Sequence, residues 1–246
     1  MKRAEKSKKS ITEIINAAIK LYTKSGSPDI SINELCRENN ISKGKFYHYF
    51  SSKDDLFIVV SSYIVDDICK EIESFEVDAN KSLEENLKHY YSERINYWID
   101  HPEYSMIVYY LFSNIDYEFR KAFHPLRVKF NASLNTKTME ILHTANIKKN
   151  LSDSELLEVM KVVYDSLFLN DMHKIVTTQL KGDYAHANKM SEDLLDLYGR
   201  LINVLLHGII SENAPEEYPP AHSFYNTYVR PVCAGLFISC FLQPLG

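Results

Sequence analysis

Residues 41–50 read Ile41-Ser42-Lys43-Gly44-Lys45-Phe46-Tyr47-His48-Tyr49-Phe50, and this stretch decides the fold. The side-chain oxygen of Ser42 suits it to cap a helix running from Lys43 to about Tyr49. That helix combines aromatic rings with cations suited to phosphates and base edges, and it carries Gly44, whose missing side chain lets backbone approach DNA closely. Glycine inside a helix costs about 1 kcal/mol relative to alanine, so its presence asks for a reason.

Working outward, Ser31-Ile32-Asn33-Glu34 is a second helix start, opening a short helix through about Glu38 with Leu35 and Cys36 facing inward. Asn39 and Asn40 stop it, because asparagine tolerates the left-handed conformation of a tight turn. Downstream, Ser52 with Asp55 caps a longer helix carrying Leu56, Val60, Ile64, Ile68 and Ile72 at a spacing of four. Upstream, Ile11, Ile14, Ile15, Ala18 and Tyr22 recur at helical spacing; Ser10 with Glu13 reads as a capping-box start, and Gly26 with Pro28 as the close. Two short helices about three residues apart, braced by longer ones, describe a helix-turn-helix unit.

The charge of the chain, −5 over its 246 residues, is distributed unevenly. Residues 1–53 hold 11 basic and 5 acidic residues, net +6, whereas the remainder holds 17 basic and 28 acidic, net −11. Such asymmetry describes either a solvated basic face or a polyanion-binding end, and the helix-turn-helix pattern favours the second.

From Ile15 to Leu56 the chain resembles the DNA-binding head of TetR-type transcriptional repressors. The likeness rests on Ala17-Ala18, Leu21-Tyr22, Gly26, Ser31, Leu35, Ile41-Ser42-Lys43-Gly44, Phe46-Tyr47, Tyr49-Phe50, Lys53 and Leu56. Two positions depart from the family pattern: Asn40 stands where the turn glycine is usual, and Lys45 where a small polar residue is common. The resemblance implies that Ser31, Asn33, Tyr47, His48 and Lys53 hold the phosphate backbone and that Lys43, Gly44 and Lys45 read the major groove. With Ser42 these form the expected DNA-binding set. Phe46 and Phe50 are expected in the core, and Tyr49 stays open between core and DNA contact. Lys45 withholds the relatives' base specificity from this chain.

Few glycines and prolines (7 and 8) and a helical pattern throughout predict an all-α chain. Body helices are expected at 83–100, 102–114, 117–123, 127–145, 153–179 and 186–210, with joints at Pro102 and Pro125. The last two helices carry apolar arcs wider than one stripe, so each needs two partners. One reading is a central core helix; the other, which the resemblance favours, is a four-helix homodimer interface. Aromatic residues gather between Tyr90 and Phe123, either as plain core or as a pocket for a small hydrophobic or aromatic effector. Tyr91, Trp98, Tyr109, Tyr110, Phe112, Phe119 and Phe123, with Phe168 from the helix expected at 153–179, are the expected ligand-binding residues.

Catalytic motifs are missing. Glu140 and His143 form a single Glu-x-x-His, but di-iron bundles need a second copy and two further inward Glu residues. No metal site and no cofactor are expected, and the four scattered cysteines suggest a reducing cytoplasm. The basic N-terminus lacks the apolar stretch of a secretion signal, and no apolar run suffices to cross a membrane. The expected organisation is a helix-turn-helix DNA-binding head over residues 1–50, a ligand-binding and dimerisation body over 51–211, and a C-terminal extension of unknown role over 212–246. The function expected is a homodimeric repressor released from palindromic double-stranded operator DNA by an effector. The alternative is an architectural or cell-division factor with the same head and no effector.

Overall fold

The computed structural model describes residues 2–145 and 151–210. Among them are nine helices and no strand: α1 (Lys2–Ser25), α2 (Ile32–Glu38), α3 (Lys43–Tyr49), α4 (Lys53–Ser74), α5 (Leu83–Asp100), α6 (Pro102–Ser113), α7 (Tyr117–Leu142), α8 (Asp153–Leu180) and α9 (Tyr184–Ile210). The expected extension over 212–246 lies outside the described residues, as does the side chain of Phe168.

Serine caps set the head. The Oγ atoms of Ser31, Ser42 and Ser52 accept from the backbone N–H groups of Glu34, Lys45 and Asp55 and so start α2, α3 and α4. Between α2 and α3, Asn40 adopts φ +54°, and the Ile41 N–H donates to the Cys36 carbonyl at 2.9 Å. The core beneath the turn takes Ile14 and Ala18 from α1, Leu35 from α2, Phe46 from α3 and Leu56 from α4, all of them buried.

Two helix limits differ from the sequence reading. α1 begins at Lys2, so Ser10 and Glu13 lie within a helix and do not open one. Residues 2–9 are mostly Lys, Arg, Ala and Glu, which favour helix and contain no breaker. The second correction concerns Pro125, which sits inside one continuous α7 and separates nothing. Pro125 removes one backbone donor, but it and Lys121 are exposed, so water satisfies the carbonyl left without its partner. Pro125→Ala is therefore expected to stabilise the chain by about 1–3 kcal/mol, read as a higher thermal unfolding midpoint. A lower midpoint would mean that the packing of α7 depends on the proline.

α4 runs from the head into the body, packing on α1, α6 and α7. Its far end is held by Lys137 of α7, a buried residue whose Nζ donates to the Phe75 carbonyl at 2.8 Å and meets Glu140 at 2.7 Å. A cation here also complements the negative end of the helix dipole. In α9, Leu194, Tyr198, Ile202 and Leu206 are buried, whereas Leu197 and Leu201 are half-buried and Val204 is 56 % exposed. One apolar stripe is thus packed within the chain, and a second, i, i+4, i+7, lies at its margin, with Leu197 and Leu201 partly covered and Val204 exposed.

Candidate nucleic-acid interface

α3 has two faces with different fates. Phe46 and Phe50 point into the core at 0 % and 3 % exposure, with ring centroids 5.8 Å apart. Ser42, Lys43, Gly44, Tyr47 and His48 stand on the solvent side, and Ser31 and Asn33 at the start of α2 are exposed as well. Tyr49 is half-buried, with its ring edge against His48. A Cβ placed on Gly44 would meet nothing within 4 Å, and its φ is not positive. Neither packing nor backbone conformation of the free chain explains this glycine.

The cations differ in their surroundings. Lys43 makes no ion pair among the described residues. Lys45 reaches back across 32 positions to α1, where its Nζ lies 2.6 Å from Glu13 Oε2. The hydrogen bond and charge of Lys45 hold the Glu13 carboxyl below its ordinary range. Lys53, in the first turn of α4, pairs with Asp29 of the α1–α2 loop, and the hydrogen bond to Asp29 raises its pKa. Sequence reasoning missed Glu13 and Asp29, because neither periodicity nor spacing links positions 32 and 24 apart.

The aromatic residues of the body form several groups. Tyr110, Phe119 and Phe123 surround Phe57 of α4, with centroids 6.0, 6.3 and 5.4 Å away, and Tyr22 of α1 meets the same ring edge-on at 5.3 Å. Phe57 was missed because the spacing-four series through Leu56 passes beside it. Tyr91 stacks on Tyr198 of α9, Tyr109 on His173 of α8 at 3.8 Å, and Phe112 packs against Phe130. Trp98 is 1 % exposed. A cavity of about 30 Å³, room for a water or two, lies between α5, α7 and α8, lined by Tyr90, Tyr91, Asn131, Thr138 and Met160 among others. Of the expected ligand-binding residues, Tyr91 lines it. Glu140 is engaged by Lys137, and His143 lies 3.6 Å from Asp153.

Three helices around a capped turn, a buried aromatic underside and an exposed basic upper face define the helix-turn-helix class of DNA-binding heads. Residues 14–60 match the profile of the tetR family of bacterial regulatory proteins, so the head carries the DNA-binding module of that family. The uncharacterized helix-turn-helix regulator YerO of Bacillus subtilis is 30% identical over 96 residues, which are 39% of this chain and 33% of YerO. YuxN of the same organism is 42% identical over 53 residues, 22% of this chain and 18% of YuxN. The matches thus span a third or less of these relatives. Among solved structures, a TetR-family chain from Mesorhizobium loti has a TM-score of 0.62 at 18% identity, covering 82% of this chain and 98% of that one. FadR of Bacillus subtilis, in complex with stearoyl-CoA, has a TM-score of 0.57 at 16% identity over 80% and 98%. At these identities the likeness is one of fold. No helix among the described residues is long and apolar enough to cross a membrane.

Proposed function

We propose that the chain is a homodimeric, sequence-specific repressor that binds near-palindromic DNA through α3 and is released by a small, largely apolar effector. The observation that carries this reading is the division of α3, whose aromatic underside is buried while Lys43, Gly44, Tyr47 and His48 face outward. Open space at Gly44 supports it, since a glycine that the free chain does not require suits close approach of another backbone. Lys43 and Lys45 read base edges; Ser31, Asn33, Tyr47, His48 and Lys53 hold phosphates. Ser31 and Ser42 keep a hydroxyl proton to donate while their oxygens cap helices. The partly exposed apolar stripe Leu197, Leu201 and Val204 supports dimerisation through α8 and α9. Footprinting tests the reading: paired protections about one helical turn apart, or a small multiple of it, are expected. A single asymmetric region would contradict the two-fold dimer.

Release by an effector rests on the rings around Phe57, which join α1 of the head to α4, α6 and α7 of the body. A ligand that displaces α4 changes the separation of the two heads, and both half-sites lose their fit together. FadR, which shares the fold, is crystallised with stearoyl-CoA, a ligand with a long apolar acyl chain. The second reading, an architectural DNA-binding factor without an effector, is favoured by the 30 Å³ size of the cavity between α5, α7 and α8, since the larger hollow of about 710 Å³ beside Tyr91 and Tyr198 is an open groove and does not enclose a ligand. The two part on linkage. A compound found by thermal-shift screening should bind about 5- to 150-fold more weakly when the chain is saturated with operator, by the same factor that it weakens operator binding. Equal affinity in both titrations would rule out effector release by that compound, and a screen without hits would favour the architectural factor.

A further inference from the structure

Several cations of the head have counter-ions attached. Lys24 lies between Glu34 and Glu38, Lys45 on Glu13 and Lys53 on Asp29, while Lys43 makes no ion pair among the described residues. Glu13 and Lys45 are on different helices, and both are part-exposed at 48 % and 32 % of their side chains, so the pair borders the face that the proposed function turns toward DNA.

We propose that Glu13 is a specificity-determining residue: it holds down binding to non-operator DNA by countering Lys45, and it leaves Lys45 able to read an operator base. The inference rests on the function proposed above. Binding to random sequence draws on phosphate contacts and counter-ion release, so it grows with the number of phosphates that cations neutralise. In such a complex the base edge beside the pair offers no matching acceptors, so Lys45 swings from Glu13 to a phosphate out of the carboxylate's reach, and the carboxylate then stands close to the polyanion with its charge uncompensated. In the operator complex, Lys45 has three N–H donors; it keeps Glu13 with one and offers the others to the acceptors of a guanine edge. The carboxylate stays neutralised and also fixes the direction of the lysine stem. Glu13 therefore penalises the wrong sequence more than the right one. Asp29 differs in a useful way, because its partner Lys53 meets phosphate in any sequence. Its charge should lower affinity for every duplex alike.

The test compares Glu13→Gln and Asp29→Asn with the full-length wild-type chain on two probes: a duplex selected by binding from a random-sequence pool, and an unselected duplex of the same length. Gln and Asn keep a hydrogen-bond acceptor and remove the charge. Exposed pairs of this kind are weak, so Glu13→Gln should raise affinity for the unselected duplex by about two- to fivefold per protomer and leave the selected duplex within about twofold. The salt dependence on the unselected duplex should steepen by up to about 0.9 log unit per protomer. Asp29→Asn should raise both affinities by the same factor. Equal gains on both duplexes for Glu13→Gln, a loss on both, or no change on either would overturn the inference while leaving the DNA-binding reading intact. Failure of the wild-type chain to bind any duplex would overturn both.

Discussion

Phe46→Ala is expected to abolish DNA binding by unfolding α2 and α3 while the body helices stay folded. Phe46 is fully buried in the core cluster that also holds Leu35, Phe50 and Leu56, and truncating a buried phenylalanine costs about 3–5 kcal/mol in transfer energy and cavity. A head of some 50 residues has little stability to spare, because a small unit buries a small share of its surface. α5 and α8 do not depend on this ring. Hydrogen exchange should thus show reduced protection at 32–49 and retained protection at 86–98, and Phe46→Leu should recover most of it. Unchanged protection of α2 and α3 would mean that the interior of the head is not what holds them.

Lys43→Ala is expected to change base preference as well as affinity. Its side chain is exposed in the first turn of α3 without an ion pair among the described residues, so it is available to a base edge at no internal cost. Removing a hydrogen-bonded base partner costs about 1–3 kcal/mol in each protomer, and the preference at the corresponding position of each half-site should relax. Lys53→Ala gives the contrasting pattern. It should weaken all sequences alike and make the salt dependence shallower by about 0.9 log unit for each phosphate that a protomer no longer neutralises. If both variants bind more weakly with no change in sequence preference, the assignment of Lys43 to the groove is wrong.

The head was legible because its signals are local. Ser31, Ser42 and Ser52 announce three helix starts within a few residues of the groups they cap, and Asn40 announces the left-handed turn that it adopts. Local rules also misled. Ser10 and Glu13 have the spacing of a capping box, yet the eight residues before Ser10 favour helix, so nothing makes the chain begin a helix there. Pro125 breaks helices where its missing donor matters, and on the wet side of α7 it does not.

What the sequence withheld is the pairing of distant residues. Lys45 reads as a groove cation until the fold brings Glu13 to it, because a pair across 32 positions has no periodic signature. The aromatic residues between Tyr90 and Phe123 read as one group along the chain. Helical geometry sends them to different neighbours: Tyr110 and Phe119 to Phe57, Tyr109 to His173, Phe112 to Phe130 and Tyr91 to Tyr198. The wide apolar arc of α9 was legible as a pattern, and the fold adds which part is taken: Leu194, Tyr198 and Ile202 inside, Leu197 and Leu201 half-covered, Val204 outside.

The central claim is that two copies of α3 read DNA in a two-fold arrangement, and it is tested most directly by selecting binding sites from a random duplex pool with the wild-type chain and with Lys43→Ala. The expected result is a near-palindromic site for the wild type, with half-sites about one turn or a small multiple of it apart, whose preference relaxes at symmetric positions in the variant. An asymmetric site, or a palindrome that Lys43→Ala selects unchanged, would contradict it.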